Sequence, residues 1–339
     1  MSKNKTNTTE IINREELLQQ ALQTIIKEYG RDAVVDMNKK LPSKDNVISS
    51  GSLLLDMAIG IGGYPRGRVI EVYGAESSGK TTLALHAISE VQKSNGKAAF
   101  IDVEHALDPN YAQKIGVILE QLIIVQPDSG EQALGILEVF VKSNAIDLIV
   151  IDSVAALTPQ VELDGEMSDQ TIGAQARLMS KALRKLNSYI AKTNCLVFFI
   201  NQIREKVGII FGNPEITPGG RALRFYSSLR VELRRSEQIL LNNQLVGYKT
   251  KVKIVKNKVA APFQMTVLDI YFDRGICKLE ELISLGLKAN ILQKNGSWYN
   301  YGEQKLGLGR DKVREFFIAN VDLQEQLHCN VAEWLQTVK

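Results

Sequence analysis

The chain has 339 residues, of which 45% are apolar and 23% are charged. This length allows about two domains with a buried core, and the composition excludes a disulfide miniprotein, a fibrous chain and a disordered chain. Lys and Arg number 41 and Asp and Glu number 38, for a net charge of +3. The net charge therefore neither requires nor excludes a polyanionic partner.

The three cysteines, Cys195, Cys277 and Cys329, are far apart in the sequence. An odd number without C-x-x-C spacing predicts neither a disulfide framework nor a zinc site. The polar start MSKNKTNTTE lacks an apolar targeting segment, and apolar stretches such as CLVFFI are too short to cross a membrane. We therefore expect a soluble, cytoplasmic protein with no membrane partner.

The N-terminal segment predicts an amphipathic helix over residues 14–29. Its apolar residues recur at helical spacing, at Leu17, Leu18, Ala21, Leu22, Ile25 and Ile26. A polar and irregular stretch follows from Gly30 to Ser50, which is typical of a linker. We therefore predict that residues 1–50 are an oligomerisation helix and linker, with the helix packed on another subunit.

Residues 51–273 alternate short apolar runs with helical patterns. Five runs are predicted strands: RVIEVY, KAAFID, QLIIVQ, DLIVID and LVFFIN. Such continuous apolar runs are typical of parallel strands buried on both faces, so the predicted fold class is α/β, a mostly parallel sheet with helices on both faces. From residue 274 to 339 the pattern changes to short helices around NGSWYNYG, which predicts a small C-terminal α+β domain.

The segment GAESSGKT, residues 74–81, matches the phosphate-loop motif G-x-x-x-x-G-K-[ST] between a predicted strand and a predicted helix. Backbone N–H groups of the loop and the positive end of the helix would surround the phosphates of ATP. Lys80 would reach the terminal phosphates and Thr81 would hold Mg²⁺. The predicted nucleotide-binding residues here are Gly74, Ala75, Glu76, Ser77, Ser78, Gly79, Lys80, Thr81 and Thr82.

Polar residues at the ends of three other predicted strands complete this hypothesis. Asp152 is placed to position Mg²⁺, usually through water, and Glu104 to orient or deprotonate the attacking water. Asn201 and Gln202 are placed to sense the terminal phosphate. Each also has an ordinary structural interpretation, as a strand-end carboxylate, an ion-pair partner or an amide that caps a strand.

Two long glycine-containing segments follow the same sheet edge, at residues 161–173 and 203–220. Long loops in compact domains are usually functional, and their apolar residues, such as Ile172 and Val207, suit insertion between bases. Basic residues cluster nearby: Arg177, Lys181, Arg184 and Lys185 in one helical stripe, Arg221, Arg224, Arg230, Arg234 and Arg235 after the second loop, and five lysines in KTKVKIVKNK. This clustering favours a nucleic acid over a small acidic ligand, although a lid over a small substrate is the alternative.

Over nearly its whole length the chain resembles the bacterial RecA recombinase family. The shared segments occur in order: GAESSGKTT, FIDVEHALDP, LIVIDSVAALTP, FINQIREKVG, FGNPEITPGG and VKNKVAAPF. The resemblance implies a RecA-type P-loop ATPase that forms ATP-bound filaments on single-stranded DNA, pairs them with double-stranded DNA and exchanges strands in recombinational repair. It also implies a part in the SOS response through a self-cleaving repressor.

The resemblance also implies roles for single residues. Glu104, Lys80 and Gln202 form the catalytic set, in which Glu104 activates water and Gln202 senses the γ-phosphate. Further nucleotide contacts fall on Asp108 and Tyr111 at the adenine, and on Lys256 and Lys258 at the ATP of the neighbouring subunit. The DNA contacts fall on Ile172, Arg177, Ser180, Arg184, Val207, Gly219, Gly220 and Arg221.

The sequence departs from the family pattern at three places. Arg221 stands where Asn is usual, Phe272 replaces a tyrosine near the nucleotide, and EWLQTVK at the end has no acidic tail. Lys294 and Arg310 resemble the basic positions with which the family captures duplex DNA. Three alternatives stay open: a hexameric helicase on the same core, a non-catalytic ATP-binding accessory, and a small-molecule kinase, which would have no use for the basic stripe and both loops.

Overall fold

The computed structural model describes residues 3–34, 46–166, 171–205, 215–241 and 243–337. These residues form two compact units, one before residue 44 and one from residue 44 onward. No helix within the described ranges is long and apolar enough to cross a membrane.

The first unit is a helix, α1, which covers Lys3–Tyr29 and is followed by a 3-10 turn at Arg31–Ala33. The helix begins well before the predicted start at residue 14. Leu17 and Leu18 are more than half exposed, and Ile25 and Ile26 are also exposed. A helix over the predicted residues is confirmed, and its packing on another subunit stays a prediction.

The second unit combines sheets and helices. Its strands are β1 Val47–Ile48, β2 Tyr64–Pro65, β3 Val69–Gly74, β4 Ala98–Asp102, β5 Leu122–Val125, β6 Leu148–Asp152, β7 Leu196–Gln202, β8 Arg204–Glu205, β9 Glu215–Ile216, β10 Leu229–Leu241, β11 Gln244–Asn257, β12 Met265–Tyr271, β13 Gly275–Ile276, β14 Leu292–Asn295, β15 Trp298–Tyr301 and β16 Gln304–Leu308. Its helices are α2 Leu53–Ile59, α3 Lys80–Lys93, α4 Pro109–Ile115, α5 Gly130–Ser143, α6 Gln160–Asp164, α7 Ala174–Lys192, α8 Ala222–Tyr226, α9 Lys278–Lys288, α10 Arg310–Ala319 and α11 Val321–Thr337.

The central sheet of the described residues has nine strands in the order β13-β12-β11-β10-β3-β7-β6-β4-β5. The strands from β10 to β5 in this order run parallel, whereas β10 to β13 pair antiparallel. All five predicted strands are confirmed as β3 to β7, and so is the mostly parallel α/β class. The antiparallel arm formed by β10 to β13 was not predicted.

The alternation of side chains along the strands places one apolar layer on each face of the sheet. On one face Ile70, Phe100 and Phe198 pack with α3, and on the other Ile101 and Phe199 pack with α5 and α7. Each fully buried side chain of this size contributes about 1.5–3 kcal/mol to the stability of the fold. The sheet is therefore a rigid support for the loops at its edges.

The prediction of burial on both faces was wrong for β5. Ile123 and Ile124 are about 40% exposed. β5 is the last strand of the sheet, next to β4 alone, so part of its surface has no neighbouring strand or helix. Its apolar sequence therefore reflects strand propensity rather than full burial.

The register of the parallel strands brings their carboxyl ends to one edge. Asp102 lies opposite Asp152, and Gly74 lies opposite Gln202. The segments that follow these four residues therefore leave the sheet side by side, as is usual for ligand sites in open α/β sheets.

The C-terminal part packs α9, α10 and α11 around the small sheet β14-β15-β16, with Ile283, Tyr299 and Phe317 in a separate apolar core. The predicted α+β character is confirmed. The predicted boundary at residues 273 and 274 stays a prediction. Glu281 on α9 accepts hydrogen bonds from the Ser52 hydroxyl at 2.6 Å and from the Leu53 N–H at 2.7 Å, which links this part to the start of α2.

Candidate nucleotide and DNA site

The phosphate loop connects β3 to α3 at the sheet edge. Gly79 caps α3 at φ +96°, and a Cβ there would lie 2.4 Å from Ile270 Cδ1, so only glycine fits. Residues 75–77 at the crest of the loop are exposed. The Ser78 hydroxyl is buried and has no hydrogen-bond partner among the described residues. The loop therefore offers an open cradle with an unused hydroxyl donor, which suits phosphate oxygens.

Lys80 is held inside this loop. Its Nζ donates to the carbonyl oxygens of Ala75 at 2.7 Å and Gly74 at 3.2 Å. Burial lowers the pKa of Lys80, while the carboxylates of Asp152, Glu104 and Glu76 act to raise it. A phosphate group bound in the loop would be a stronger hydrogen-bond acceptor for the Lys80 amine than these neutral carbonyl oxygens are.

Thr81 and Asp152 form the second part of the site. The Thr81 hydroxyl donates to Asp152 Oδ2 at 2.7 Å, and Asp152 is 8% exposed. Burial raises the pKa of Asp152 to about 6. A hydroxyl and a carboxylate so close together suit Mg²⁺, which prefers oxygen ligands and takes the others from phosphate and water. The two residues predicted to hold the metal are therefore adjacent.

Glu104 lies beside this pair because its backbone is tied to β6. The N–H groups of Val103 and Glu104 both donate to the Asp152 carbonyl oxygen, at 2.8 and 3.2 Å. The Glu104 carboxylate accepts from the Ser153 hydroxyl and, at 3.0 Å, from Gln202 Nε2. Ser153 and Gln202, the proposed γ-phosphate sensor, thus donate to the same oxygen atom of Glu104, the proposed water-activating group.

Ser153 was not predicted. It is 1% exposed and donates to Glu104. Its position directly after Asp152 was the only sequence feature that indicated a place in the site. Its contact with Glu104 depends on how β4 and β6 pair.

Asn201 was predicted to sense phosphate with Gln202, and this was wrong because Asn201 is fully buried. Its Nδ2 donates to Glu71 Oε1 at 3.0 Å and to the Pro218 carbonyl at 3.1 Å, while its Oδ1 accepts from the Gln202 N–H at 2.9 Å. Asn201 therefore connects the end of β7 to the segment that precedes Gly219.

Of the two residues predicted at the adenine, Tyr111 lies next to the start of α3. The Tyr111 hydroxyl and the Thr82 hydroxyl are 3.0 Å apart. Asp108 is exposed and caps α4 by accepting from the Asn110 N–H at 2.9 Å. Phe272, the substituted position, is half exposed and packs on Tyr248 with ring centroids 5.9 Å apart. Adenine contact stays a prediction for Asp108 and Tyr111.

Lys256 and Lys258 lie away from the phosphate loop of their own chain. Lys256 is opposite Arg230, which is opposite Glu71 near the start of β3, whereas the loop follows the other end of β3. Lys256 Nζ donates to the carbonyl oxygens of Arg224 at 2.6 Å and Phe225 at 3.0 Å, and Lys258 Nζ is 3.4 Å from the latter oxygen. Burial, followed by the charge of Lys258, lowers the pKa of Lys256 to about 8.

The first predicted DNA loop leads into α7. Ile172 is 81% exposed, and Arg177 Nη1 donates to its carbonyl oxygen at 3.1 Å. Arg177, Lys181, Arg184 and Lys185 are all exposed, which confirms the stripe. The Ser180 hydroxyl donates to the Ala176 carbonyl at 2.7 Å. Part of the predicted loop is helical, since α6 covers Gln160–Asp164.

The second predicted DNA loop ends in a double glycine. Gly219 and Gly220 have φ of +82° and +74°, and a Cβ on Gly220 would lie 2.7 Å from Ala176 Cβ. In this turn beside α7 Gly219 is buried and Gly220 is exposed, and Arg221 follows, exposed, at the start of α8. Phosphate contact stays a prediction for both glycines. Val207 lies outside the described residues.

The predicted basic cluster after this loop is smaller than expected, and the prediction was wrong for Arg230. Arg230 is 5% exposed, its Nε donates to Glu71 Oε2 at 2.5 Å, and its guanidinium lies 4.6 Å from the Tyr73 ring centroid. Arg234 is bonded to Glu215 and Glu232. In the C-terminal part, Arg310 likewise pairs with the buried Glu280 at 2.6 Å, whereas Lys294 is exposed. Charge counts along a sequence therefore overestimate the free basic surface.

The phosphate loop lies at the edge of a mostly parallel sheet, with Asp152 at the Thr81 hydroxyl and Glu104 after the neighbouring strand β4. These features define a P-loop ATPase with a RecA-type core. The RecA N-terminal domain model matches residues 16–277, and the RecA C-terminal domain model matches residues 280–336. The chain belongs to the RecA family.

Curated relatives cover nearly the whole chain. Protein RecA of Bacillus subtilis (strain 168) is 56% identical over 321 residues, which is 95% of this chain and 92% of the relative. The proteins of the same name from Bacillus velezensis and Bacillus anthracis are both 54% identical, over 95% of this chain and 93% and 94% of their own lengths.

Proposed function

We propose that this chain is a DNA-dependent ATPase that forms ATP-bound filaments on single-stranded DNA and catalyses homologous pairing and strand exchange in recombinational repair. One observation carries the proposal: Gln202 donates to Glu104, and the adjacent Asn201 donates to Pro218 at the base of the second loop. The nucleotide site and a DNA loop are thus bonded to consecutive residues of one strand. The comparisons give no support to a hexameric helicase.

The hydrolysis step rests on four side chains. Lys80 neutralises charge on the terminal phosphate, and Glu104 orients the attacking water and accepts its proton. Mg²⁺, held by Thr81 and by Asp152 through water, would neutralise the phosphate oxygens when it is bound. Ser153 fixes the Glu104 carboxylate from the side of β6, so the base needs little reorganisation during the reaction.

Gln202 is the residue that would change position between nucleotide states. Its amide is bonded to Glu104 at 3.0 Å, and a γ-phosphate would compete for the same donor. A shift of Gln202 would act through the Asn201 backbone and side chain on Pro218. This supports a switch in which ATP favours one position of the second loop and hydrolysis releases it.

Lys256 and Lys258 would act on the ATP of a neighbouring subunit. They are directed away from their own phosphate loop, and backbone carbonyl oxygens are their acceptors. Two cations supplied in trans would stabilise charge on the transferred phosphate as an arginine finger does. Repeating this contact from subunit to subunit produces an open helical assembly.

DNA binding would use the backbone of the strand and the stacking of its bases. The exposed stripe on α7 and the exposed backbone of Gly220 suit phosphates, and Ile172 suits insertion between bases. Binding should therefore be independent of sequence and should weaken steeply with salt. We place this activity in the bacterial cytoplasm, where the filament would also promote the self-cleavage of a repressor in the SOS response.

The test is ATP hydrolysis by the purified chain with and without single-stranded DNA, across a salt series. We expect strong stimulation by DNA that declines as salt rises, and no hydrolysis by Lys80→Ala. Hydrolysis that is indifferent to DNA would refute the assignment of the loops, although the phosphate site would stand.

A mixing experiment tests the shared ATP site. Lys80→Ala and the double variant Lys256→Gln/Lys258→Gln should each be inactive alone. In an equal mixture, about a quarter of the interfaces pair an intact phosphate loop with intact lysines, so activity should rise to about a quarter of the wild-type value. A mixture as inactive as its components would contradict lysines supplied in trans.

A further inference from the structure

Gln175 joins three functional segments with one amide group. It is the second residue of α7, and its Nε2 donates to the carbonyl oxygens of Val154 at 2.9 Å and Leu157 at 3.1 Å. Its Oε1 accepts from the Gly219 N–H at 3.1 Å. Both ends of the side chain are therefore bonded to backbone, and the side chain is only partly exposed.

The orientation of this amide is fixed by its partners. A carbonyl oxygen can only accept and a backbone N–H can only donate, so Nε2 must face Val154 and Leu157, and Oε1 must face Gly219. A flipped amide would lose all three hydrogen bonds. No apolar side chain could replace any of them.

The three partners belong to different parts of the site. Val154 and Leu157 follow Ser153, which holds Glu104. Gly219 belongs to the second loop, whose preceding residue is bonded to Asn201. Gln175 itself follows the first loop, three residues after Ile172.

Close packing accompanies these bonds. A Cβ on Gly219 would lie 2.9 Å from Val154 Cγ1, and a Cβ on Gly220 would lie 2.7 Å from Ala176 Cβ. The segment after Ser153, the double glycine and the first turn of α7 are thus in van der Waals contact. Packed interiors do not deform continuously, so a displacement of one segment must move the others or break the bonds of Gln175.

We propose that Gln175 is a positioning residue that couples the nucleotide site to both DNA loops. It contacts neither substrate in this role, and it acts through the backbone at Val154 and Gly219. The inference rests on the proposed function, because it requires that bound ATP raises the affinity for DNA and that bound DNA raises the affinity for ATP. It differs from the Gln202 switch, which reaches only the second loop.

The experiment measures the coupling factor, which is the ratio of single-stranded DNA affinities with and without a non-hydrolysable ATP analogue, by fluorescence anisotropy. Gln175→Met keeps the length of the side chain and removes the donor and the acceptor. Asn187→Leu, at an exposed amide on the same helix, is the matched control. Gln175→Glu keeps an acceptor for Gly219 but sets a carboxylate against two carbonyl oxygens.

We expect the coupling factor to fall at least about five-fold in both Gln175 variants and to stay unchanged in the control. DNA affinity without nucleotide should stay within about two-fold of the wild-type value, because the basic stripe and the glycines are intact. Wild-type coupling in both Gln175 variants would overturn the inference. Absence of coupling in the wild-type chain would instead refute the proposed function.

Hydrogen exchange separates coupling from a loss of folding. In the wild-type chain, the ATP analogue without DNA should slow the exchange of amides in peptides over residues 171–177 and 215–226. In Gln175→Met this response should disappear while peptides from β3 and β6 keep their protection. A wild-type response in both peptides of the variant would also overturn the inference.

Discussion

The buried ion pair of Glu71 and Arg230 supports the end of β7, the strand that carries Gln202, and its contribution to the stability of the fold can be measured. Their side chains are 0% and 6% exposed, and Glu71 also accepts from Asn201. Glu71→Leu leaves a buried guanidinium without its partner, which should lower the free energy of unfolding by about 3–5 kcal/mol. Losing the acceptor of Asn201 should add about 1 kcal/mol.

The double variant Glu71→Leu/Arg230→Met should be much less destabilised than the sum of the single variants, because it leaves no unpaired buried charge. Urea unfolding followed by circular dichroism measures all three. The exposed pair of Lys249 and Glu237 is the control, where Glu237→Gln should leave the free energy of unfolding nearly unchanged, because solvent screens exposed ion pairs. Single variants that lose less than about 1 kcal/mol, or a double variant that loses their sum, would refute the reasoning.

Three further predictions concern the loops, the base and a buried carboxyl group. In Gly220→Ala the alanine must adopt a left-handed backbone, which costs about 1–2 kcal/mol, and its Cβ clashes with Ala176. Fluorescence anisotropy should therefore show that single-stranded DNA binds at least ten-fold more weakly, while ATP hydrolysis without DNA is unchanged. Ser153→Ala removes a charge-assisted hydrogen bond, so steady-state kinetics should show kcat about ten-fold lower at an unchanged KM. Burial raises the pKa of Glu281 from 4.5 to about 7, so the wild-type chain loses stability as the pH rises through this interval; the difference in unfolding free energy between pH 5 and pH 8 should be smaller in Glu281→Gln.

The parts of the site that follow continuous apolar strands could be predicted from the sequence. The phosphate-loop motif placed Lys80 and Thr81, and the carboxyl ends of parallel strands meet at one edge, which brought Asp152, Glu104 and Gln202 to the same place. These inferences needed only the motif, the period of the apolar pattern and the direction of the strands.

Contacts between distant segments could not be predicted. Arg230 has the sequence context of a surface arginine, and its burial follows from the Glu71 carboxylate on the neighbouring strand. The role of Gln175 could be recognised only from the packing of Gly219 against α7, and the role of Ser153 only from the pairing of β4 with β6. The strand β11 was not predicted, because its lysines were interpreted only as a basic cluster. Val252 and Ile254 nevertheless alternate with Lys251 and Lys253 in the period of two that is typical of a strand.

Strand exchange tests the central claim most directly. Filaments formed with ATP on a labelled single strand are mixed with a homologous or a heterologous duplex, and displacement of the identical strand is followed by fluorescence. We predict displacement only with the homologous duplex and only with ATP, and none with Lys80→Ala. Displacement from both duplexes, or ATP-driven unwinding of a duplex without a paired single strand, would contradict a recombinase and indicate a helicase motor.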